Sequence, residues 1–327
     1  MKIYIDSACN IFYSSFYIKG LKEYYGKNNL YFRNKPFKNL KYSNLYLAFI
    51  IKNKSKQSRI IIDYADSSKL DLDALKWTDY YYKINIDENK NYDTLKLISL
   101  GPSFGINIYS LPKTFFLAIS NWFKSKSRIT NKKQFFSNYV AQFKRAKLDD
   151  YTSGKEIENY IFFVSSIWKK EKNTNNYRAN FIRTCLSINV NFEGGFAPRM
   201  KADIKGYEDI TTKNRYKINT YLDKNKRTVL TFSTPAVLDC HGWKLAEFLC
   251  LGKVIISTPL TRKLPSKLID RKHIMISDGS KKDLEIKIKK LLENKKLRKT
   301  LKINARNYYE KQLAPVQVIK KIEKKII

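Results

Sequence analysis

The sequence predicts an α/β protein with parallel, doubly wound sheets, and three observations carry that expectation. Short β-branched runs alternate with helical patterns along the whole chain. A polar stretch at 148–156, LDDYTSGKE, separates a basic helical region from a new strand. At 327 residues with 43% hydrophobic content, the chain can build two cores of ordinary size.

The elements follow in order. Lys2–Asp6 (KIYID) alternates apolar and polar residues and reads as a strand, and 12–25 reads as the helix after it, closed by Gly26. Residues 45–51, 59–63 and 96–100 read as further strands, and Asp71-Leu72-Asp73 as a helix start. In the second half the strands are Tyr160–Ser165, 188–192, 228–232, 254–257 and 273–277, with helices at 176–186 and 242–251. Ser280 and Asp283 form an S-x-x-D capping box ahead of a helix whose apolar face carries Leu284, Ile288, Leu291 and Leu292. Another helix follows through Leu297, Leu301, Ala305 and Tyr308, and Pro315 precedes a last one at 316–327. The expected organisation is two Rossmann-like domains, 1–152 and 153–312, facing a central cleft. A terminal helix at 313–327 packs back on the first. In such sheets ligands sit beyond the C-terminal strand ends.

The formal net charge is +35. Part of it reflects composition, since Lys outnumbers Arg about four to one and Asn, Ile and Tyr are abundant, as AT-rich codons would give. The rest makes a positive field that draws phosphates, a membrane surface or nucleic acid. Cys9, Cys185, Cys240 and Cys250 show no C-x-x-C spacing, and His241 and His273 are the only histidines, so a zinc centre is not expected. The opening residues lack the pattern of a signal peptide, and no apolar run is long enough to span a bilayer. The expected location is cytoplasmic.

The most informative segment is 235–256, PAVLDCHGWKLAEFLCLGKVII. Seven residues separate Asp239 from Glu247, with Gly242 and Lys244 between them. A glycine at a helix start allows close backbone approach, and free N–H groups with the positive dipole end favour a phosphate. Lys244 adds a full charge, and Glu247 shares its helix face. An amphipathic helix with a solvated Lys and Glu and a capping Asp fits the same letters.

The segment also resembles the donor-binding motif of GT-B glycosyltransferases, in which Glu-x7-Glu brackets a Phe-Gly and runs into Glu-Ala-x-Ala-x-Gly-x-Pro-Val-Ile. Glu247 falls on the second, ribose-binding glutamate and Gly242 on the glycine. Asp239 stands where the family has its first glutamate, which contacts the donor sugar. The His-Gly-Trp-Lys form looks like that of bacterial surface-polysaccharide enzymes. The resemblance covers roughly 160–315 and weakens in the N-terminal half. It implies a GT-B fold, a nucleotide-diphospho-sugar donor, a saccharide or lipid-linked acceptor, and neither cofactor nor metal. It also implies polysaccharide or lipopolysaccharide synthesis at the inner membrane, and an Arg and a Lys on the diphosphate.

Arg178 or Lys170, after the strand Tyr160–Ser165, can fill that cation role, because a guanidinium grips phosphate oxygens in pairs. In 192–200 (FEGGFAPRM), two glycines precede Arg199, a further candidate, and a structural turn reads equally well. Thr234 lies in a turn where the family meets the base. His241, beside Asp239, can donate to the sugar or a phosphate. Asp63 and Asp66 follow a buried strand and are acceptor-side candidates for a general base, or strand-end caps.

Finally, 111–148 interleaves Phe115, Phe116, Trp122 and Phe123 with Lys124, Lys126, Arg128, Lys132 and Lys133. That pattern suits an anionic membrane interface, single-stranded nucleic acid, or core aromatics beneath a solvated basic face. Nucleic-acid binding and an inactive GT-B-like protein are the competing functional readings. The chain carries no recognisable nucleic-acid motif.

Overall fold

The computed structural model describes residues 1–54, 56–199 and 204–326. It divides into two units, the first from Met1–Leu148, Arg262–Pro265 and Gln312–Ile327, the second from Asp149–Thr261 and Ser266–Lys311.

The first unit begins with β1 (Lys2–Asp6) and α1 (Ile11–Tyr25). The Asn10 side chain accepts from the amides of Phe12 and Tyr13 and starts the helix, and Gly26 at φ 81° ends it. Then come β2 (Leu30–Arg33), β3 (Tyr46–Lys52), β4 (Gln57–Asp63), α2 (Leu72–Trp77), β5 (Tyr80–Lys83), β6 (Leu97–Ser99), α3 (Leu111–Ser125) and α4 (Lys132–Phe143). Asp71 caps α2, accepting from the Ala74 amide at 2.9 Å. The sheet order is β2-β1-β3-β4-β5-β6. β3 runs antiparallel to both β1 and β4, and the other pairs are parallel. The sheet is therefore mixed where the sequence suggested parallel strands throughout. Only four residues separate β3 from β4, which leaves no room for a crossover helix.

The second unit holds β7 (Tyr160–Ser165), α5 (Lys172–Ser187), β8 (Asn191–Phe196), α6 (Ile218–Arg227), β9 (Thr231–Ser233), α7 (Trp243–Cys250), β10 (Ile255–Ser257), β11 (Met275–Ile276), α8 (Lys281–Glu293) and α9 (Lys295–Tyr308). β7 and β8 pair in parallel, as do β9, β10 and β11. Helix α5 links β7 to β8 and α7 links β9 to β10, the crossover that parallel pairing requires, while an irregular stretch, 258–274, joins β10 to β11. The core packs Phe181 flat against Phe232 with ring centroids 4.5 Å apart, beside Ile161, Val229, Ile256 and Leu284. Of the expected capping box, Ser280 accepts from the Asp283 amide, while the Asp283 carboxylate turns to Ser277 and the Asp278 amide.

The last helix, α10 (Pro315–Ile326), packs on α1. The approach is close enough that a Cβ on Gly20 would stand 2.3 Å from the Pro315 carbonyl oxygen. Tyr24 hydrogen-bonds Glu323 in the same seam. Among the described residues, no helix is long and apolar enough to cross a membrane.

Candidate functional site

In the second unit, chemistry concentrates where β7 and β9 end and α7 begins. β7 gives way to Ser166, Ile167 and Trp168. Asn175 in α5 pins that turn, accepting from the Trp168 amide at 3.0 Å and donating to its carbonyl at 2.6 Å. One helical turn further, Arg178 projects toward the same strand ends. Its Nε donates to Thr234 Oγ1 at 3.0 Å and its NH1 to the Ser166 carbonyl at 2.8 Å. The guanidinium is buried, and burial pulls its pKa down to about 10, so it stays charged at neutral pH.

Lys244 reaches the site from the first turn of α7. Its ammonium donates to the Val164 carbonyl and, at 3.4 Å, to the Tyr221 hydroxyl, and it lies 5.0 Å from the Tyr221 ring centroid. Burial draws its pKa down to about 8, and the nearby Arg178 charge acts in the same direction, against the opposing pull of Glu247. Among the described residues neither cation has an ion-pair partner. Gly242 is the N-cap of α7, and the first turn of that helix contains no acidic residue. Two positive charges, one buried and one half-buried, thus stand beside the positive dipole end of that helix.

These groups line a cavity of about 140 Å³ that includes Ser166, Arg178, Thr234, Gly242, Trp243 and Lys244. A larger one of about 690 Å³ shares Ser166 and Trp168 with it and adds Val164, Arg199, Arg215, Tyr216 and Tyr221. Its volume is that of a small-molecule site. Arg199 is exposed on its wall and donates to the Ile167 carbonyl at 3.0 Å. Arg215, which sequence reasoning missed, donates to the Pro198 carbonyl at 2.9 Å. Lys170 is exposed in the turn before α5 and lines neither cavity.

Glu247 lies one turn after Lys244 and is 4% exposed. It accepts from Tyr151 at 3.3 Å and Tyr221 at 3.4 Å. It lines neither cavity, and the Tyr151 and Tyr221 hydroxyls each engage one of its two oxygens. Tyr221 links the two helix residues, since its hydroxyl accepts from Lys244 and donates to Glu247. Neither tyrosine was singled out in the sequence.

Asp239 is exposed on the loop before α7, at φ 59°, directly after Leu238 at φ 54°. Consecutive left-handed residues without glycine cost on the order of 1–3 kcal/mol each. Local bonds hold them: the Leu238 amide donates to Glu171 Oε1 at 3.0 Å, and the Asp239 carbonyl accepts from Thr261 at 2.8 Å. His241 follows, buried in the same loop. Gly242 has φ −72°, and a Cβ there would meet only Ala236 at 3.5 Å. Its backbone is thus open to any residue, and glycine leaves the helix start uncovered.

Two expectations need correction. Gly194 and Gly195 do not form a ligand loop, because β8 continues through them to Phe196. Both have φ near 130°, and Cβ atoms would stand 2.0 Å from the Phe163 carbonyl and 2.4 Å from that of Ile210. Close strand packing is what demands glycine there. Met200, the end of that segment, lies outside the described residues. In the first unit, Asp63 is 2% exposed and fully engaged. It accepts from Tyr81 at 2.6 Å, Lys83 at 2.8 Å and the Ala65 amide at 2.8 Å. A carboxylate so enclosed has no access to an acceptor hydroxyl. Asp66, three residues on, is exposed.

No family model matches the chain, and no curated protein does. Several solved structures are similar to it. One is the C-terminal domain of a glycosyl transferase group 1 family protein, LpcC, from Francisella tularensis, at 14% identity over 50% of this chain and 89% of that one, TM-score 0.35. A glycosyltransferase from Rickettsia africae gives 10% identity over 75% and 62%, TM-score 0.40. Anabaena HepE in complex with UDP gives 9% over 78% and 74%, TM-score 0.43. Likenesses this low carry no inference about activity.

Proposed function

We propose that this chain is a GT-B glycosyltransferase that moves a sugar from a nucleotide-diphospho-sugar to an acceptor hydroxyl. One observation carries the reading: Arg178 is buried and Lys244 half-buried beside the start of α7, with no ion-pair partner for either among the described residues. Burying a charge is costly unless an opposite charge answers it. A diphosphate supplies that charge, and the donor motif of the resemblance lies on the same helix.

In this reading Arg178, Lys244 and the amides at Trp243 and Lys244 hold the diphosphate and stabilise the charge it gains as the glycosidic bond breaks. The sugar carbon passes through an oxocarbenium-like state. Ser166, Tyr216, Arg199 and Thr234 border the space for the nucleoside, Glu247 takes the ribose, and Asp239 and His241 face the sugar. The two side-chain cations do the work a metal would do elsewhere, so the enzyme runs without one. The acceptor is a saccharide, free or lipid-linked, of a bacterial surface polysaccharide.

A thermal-shift screen against UDP-, GDP-, ADP- and CMP-linked sugars tests it. At least one should stabilise the protein, and Lys244→Met should erase that response. If none raises the melting temperature at millimolar concentration, the reading fails.

A further inference from the structure

Helix α3 is built inside out. Its buried positions are Thr114, Ala118, Asn121 and Ser125, which are small or polar. Its exposed positions include Leu111 at 60%, Phe115 at 60%, Phe116 at 69% and Phe123 at 62%. At about 100° per residue these four, with the half-buried Ile119 and Trp122, occupy one arc of roughly 140°. An amphipathic helix of a soluble core turns such an arc inward.

Polar contacts hold it this way round. Asn121 donates to the Tyr139 hydroxyl at 3.0 Å, and Ser125 bonds Ser7 at 2.5 Å. Just past the helix, Arg128 clamps the Asp6 carboxylate with bonds of 2.9 and 3.0 Å. The aromatic arc is therefore a fixed feature of the first unit.

Charge tells what covers it. No Asp or Glu occurs between Asp93 and Asp149, while ten Lys and Arg do. Lys113, Lys124, Lys126, Lys132 and Lys133 are exposed around the arc, and Lys132 stands 4.8 Å over the Trp122 ring. A protein partner would be expected to meet acids as well as bases. A surface that is negative, apolar beneath and extensive meets every element at once.

We propose that α3 is a membrane-docking helix. It lies in the plane of an anionic bilayer, with Leu111, Phe115, Phe116 and Phe123 inserted below the headgroups and the lysines on the lipid phosphates. The inference is independent of the donor site, since it needs no nucleotide.

Flotation with vesicles tests it, comparing phosphatidylcholine alone with phosphatidylcholine carrying about one third phosphatidylglycerol. The full chain should float with the anionic vesicles and remain behind with the neutral ones. Phe115→Ser/Phe116→Ser/Phe123→Ser should lower the bound fraction at least about tenfold with an unchanged melting temperature, because these side chains touch little of the core. Lys124→Glu/Lys126→Glu/Lys132→Glu should lower it too and flatten its salt dependence. Absence of binding to anionic vesicles overturns the proposal. So does equal binding by the Phe variant, which would mean that charge alone acts. Binding of a single-stranded oligonucleotide, or dimerisation in sedimentation velocity, that the Phe changes abolish while vesicles are ignored would assign the face to nucleic acid or to a second copy.

Discussion

Arg178 donates through Nε to Thr234 Oγ1 at 3.0 Å, so a helix-borne cation is anchored to a strand end without being neutralised. The hydroxyl and the Ser166 carbonyl orient the guanidinium but cannot cancel its charge. Its remaining positive field is directed at the cavity beside α7.

Arg178→Met should therefore weaken nucleoside diphosphate binding by about 10- to 100-fold, the scale of a lost charge-assisted pair. Titration calorimetry with the responding diphosphate measures it. A change of less than threefold would remove Arg178 from the site.

Lys244 makes binding depend on pH. Its folded pKa of about 8 lies below the ordinary 10.5, so the unfolded chain holds the proton more tightly across that window. Burial of Lys244 thus lowers stability below about pH 8, and this penalty fades as pH rises toward 10.5. Diphosphate affinity runs the other way, because the anion needs the charged ammonium. It should fall between about pH 7 and pH 9, and Lys244→Arg should flatten the fall. A pH-independent wild-type affinity would contradict this.

Asp63 and Lys83 form an ion pair with both side chains enclosed. Asp63→Asn leaves a buried ammonium without its counter-charge and should cost about 3–5 kcal/mol in denaturant unfolding. Turnover per folded molecule should be unchanged. A folded, stable variant that has lost turnover would instead restore Asp63 as a base.

Gly194→Ala forces a methyl against the Phe163 backbone at a φ of 131°. The expected cost is at least about 2 kcal/mol, from strain and strand separation together. Thermal unfolding would show it, and an unchanged midpoint would contradict the close β7–β8 contact.

Sequence reading worked where residue type alone carries the signal. Ile60, Ile61 and Ile62 mark β4 by their branching, Gly26 ends α1, and Gly242 and Lys244 announce the start of α7. It missed β2 (LYFR) and β5 (YYYK), whose tyrosines and end charges do not alternate in hydropathy. It could not give the direction of β3, since a period of two is the same read either way. Around Glu247 the limit was distance along the chain. Tyr221 and Tyr151 stand 26 and 96 residues away, so only folding brings them to that carboxylate. The sequence left Asp63 open between a base and a strand-end cap for a related reason. Lys83 and Tyr81, which enclose it, belong to a strand the pattern did not reveal.

The seam between Gly20 and Pro315 also has a meaning in time. During synthesis α1 leaves the ribosome well before α10, and the surface that covers it emerges only after the whole second unit has been made. The second unit lacks no distant segment of its own and can complete its core first. Contacts this far apart in sequence form late and slowly. Until α10 arrives, the flank of α1 that will receive it stands exposed, with the apolar surface that makes incomplete chains prone to aggregate.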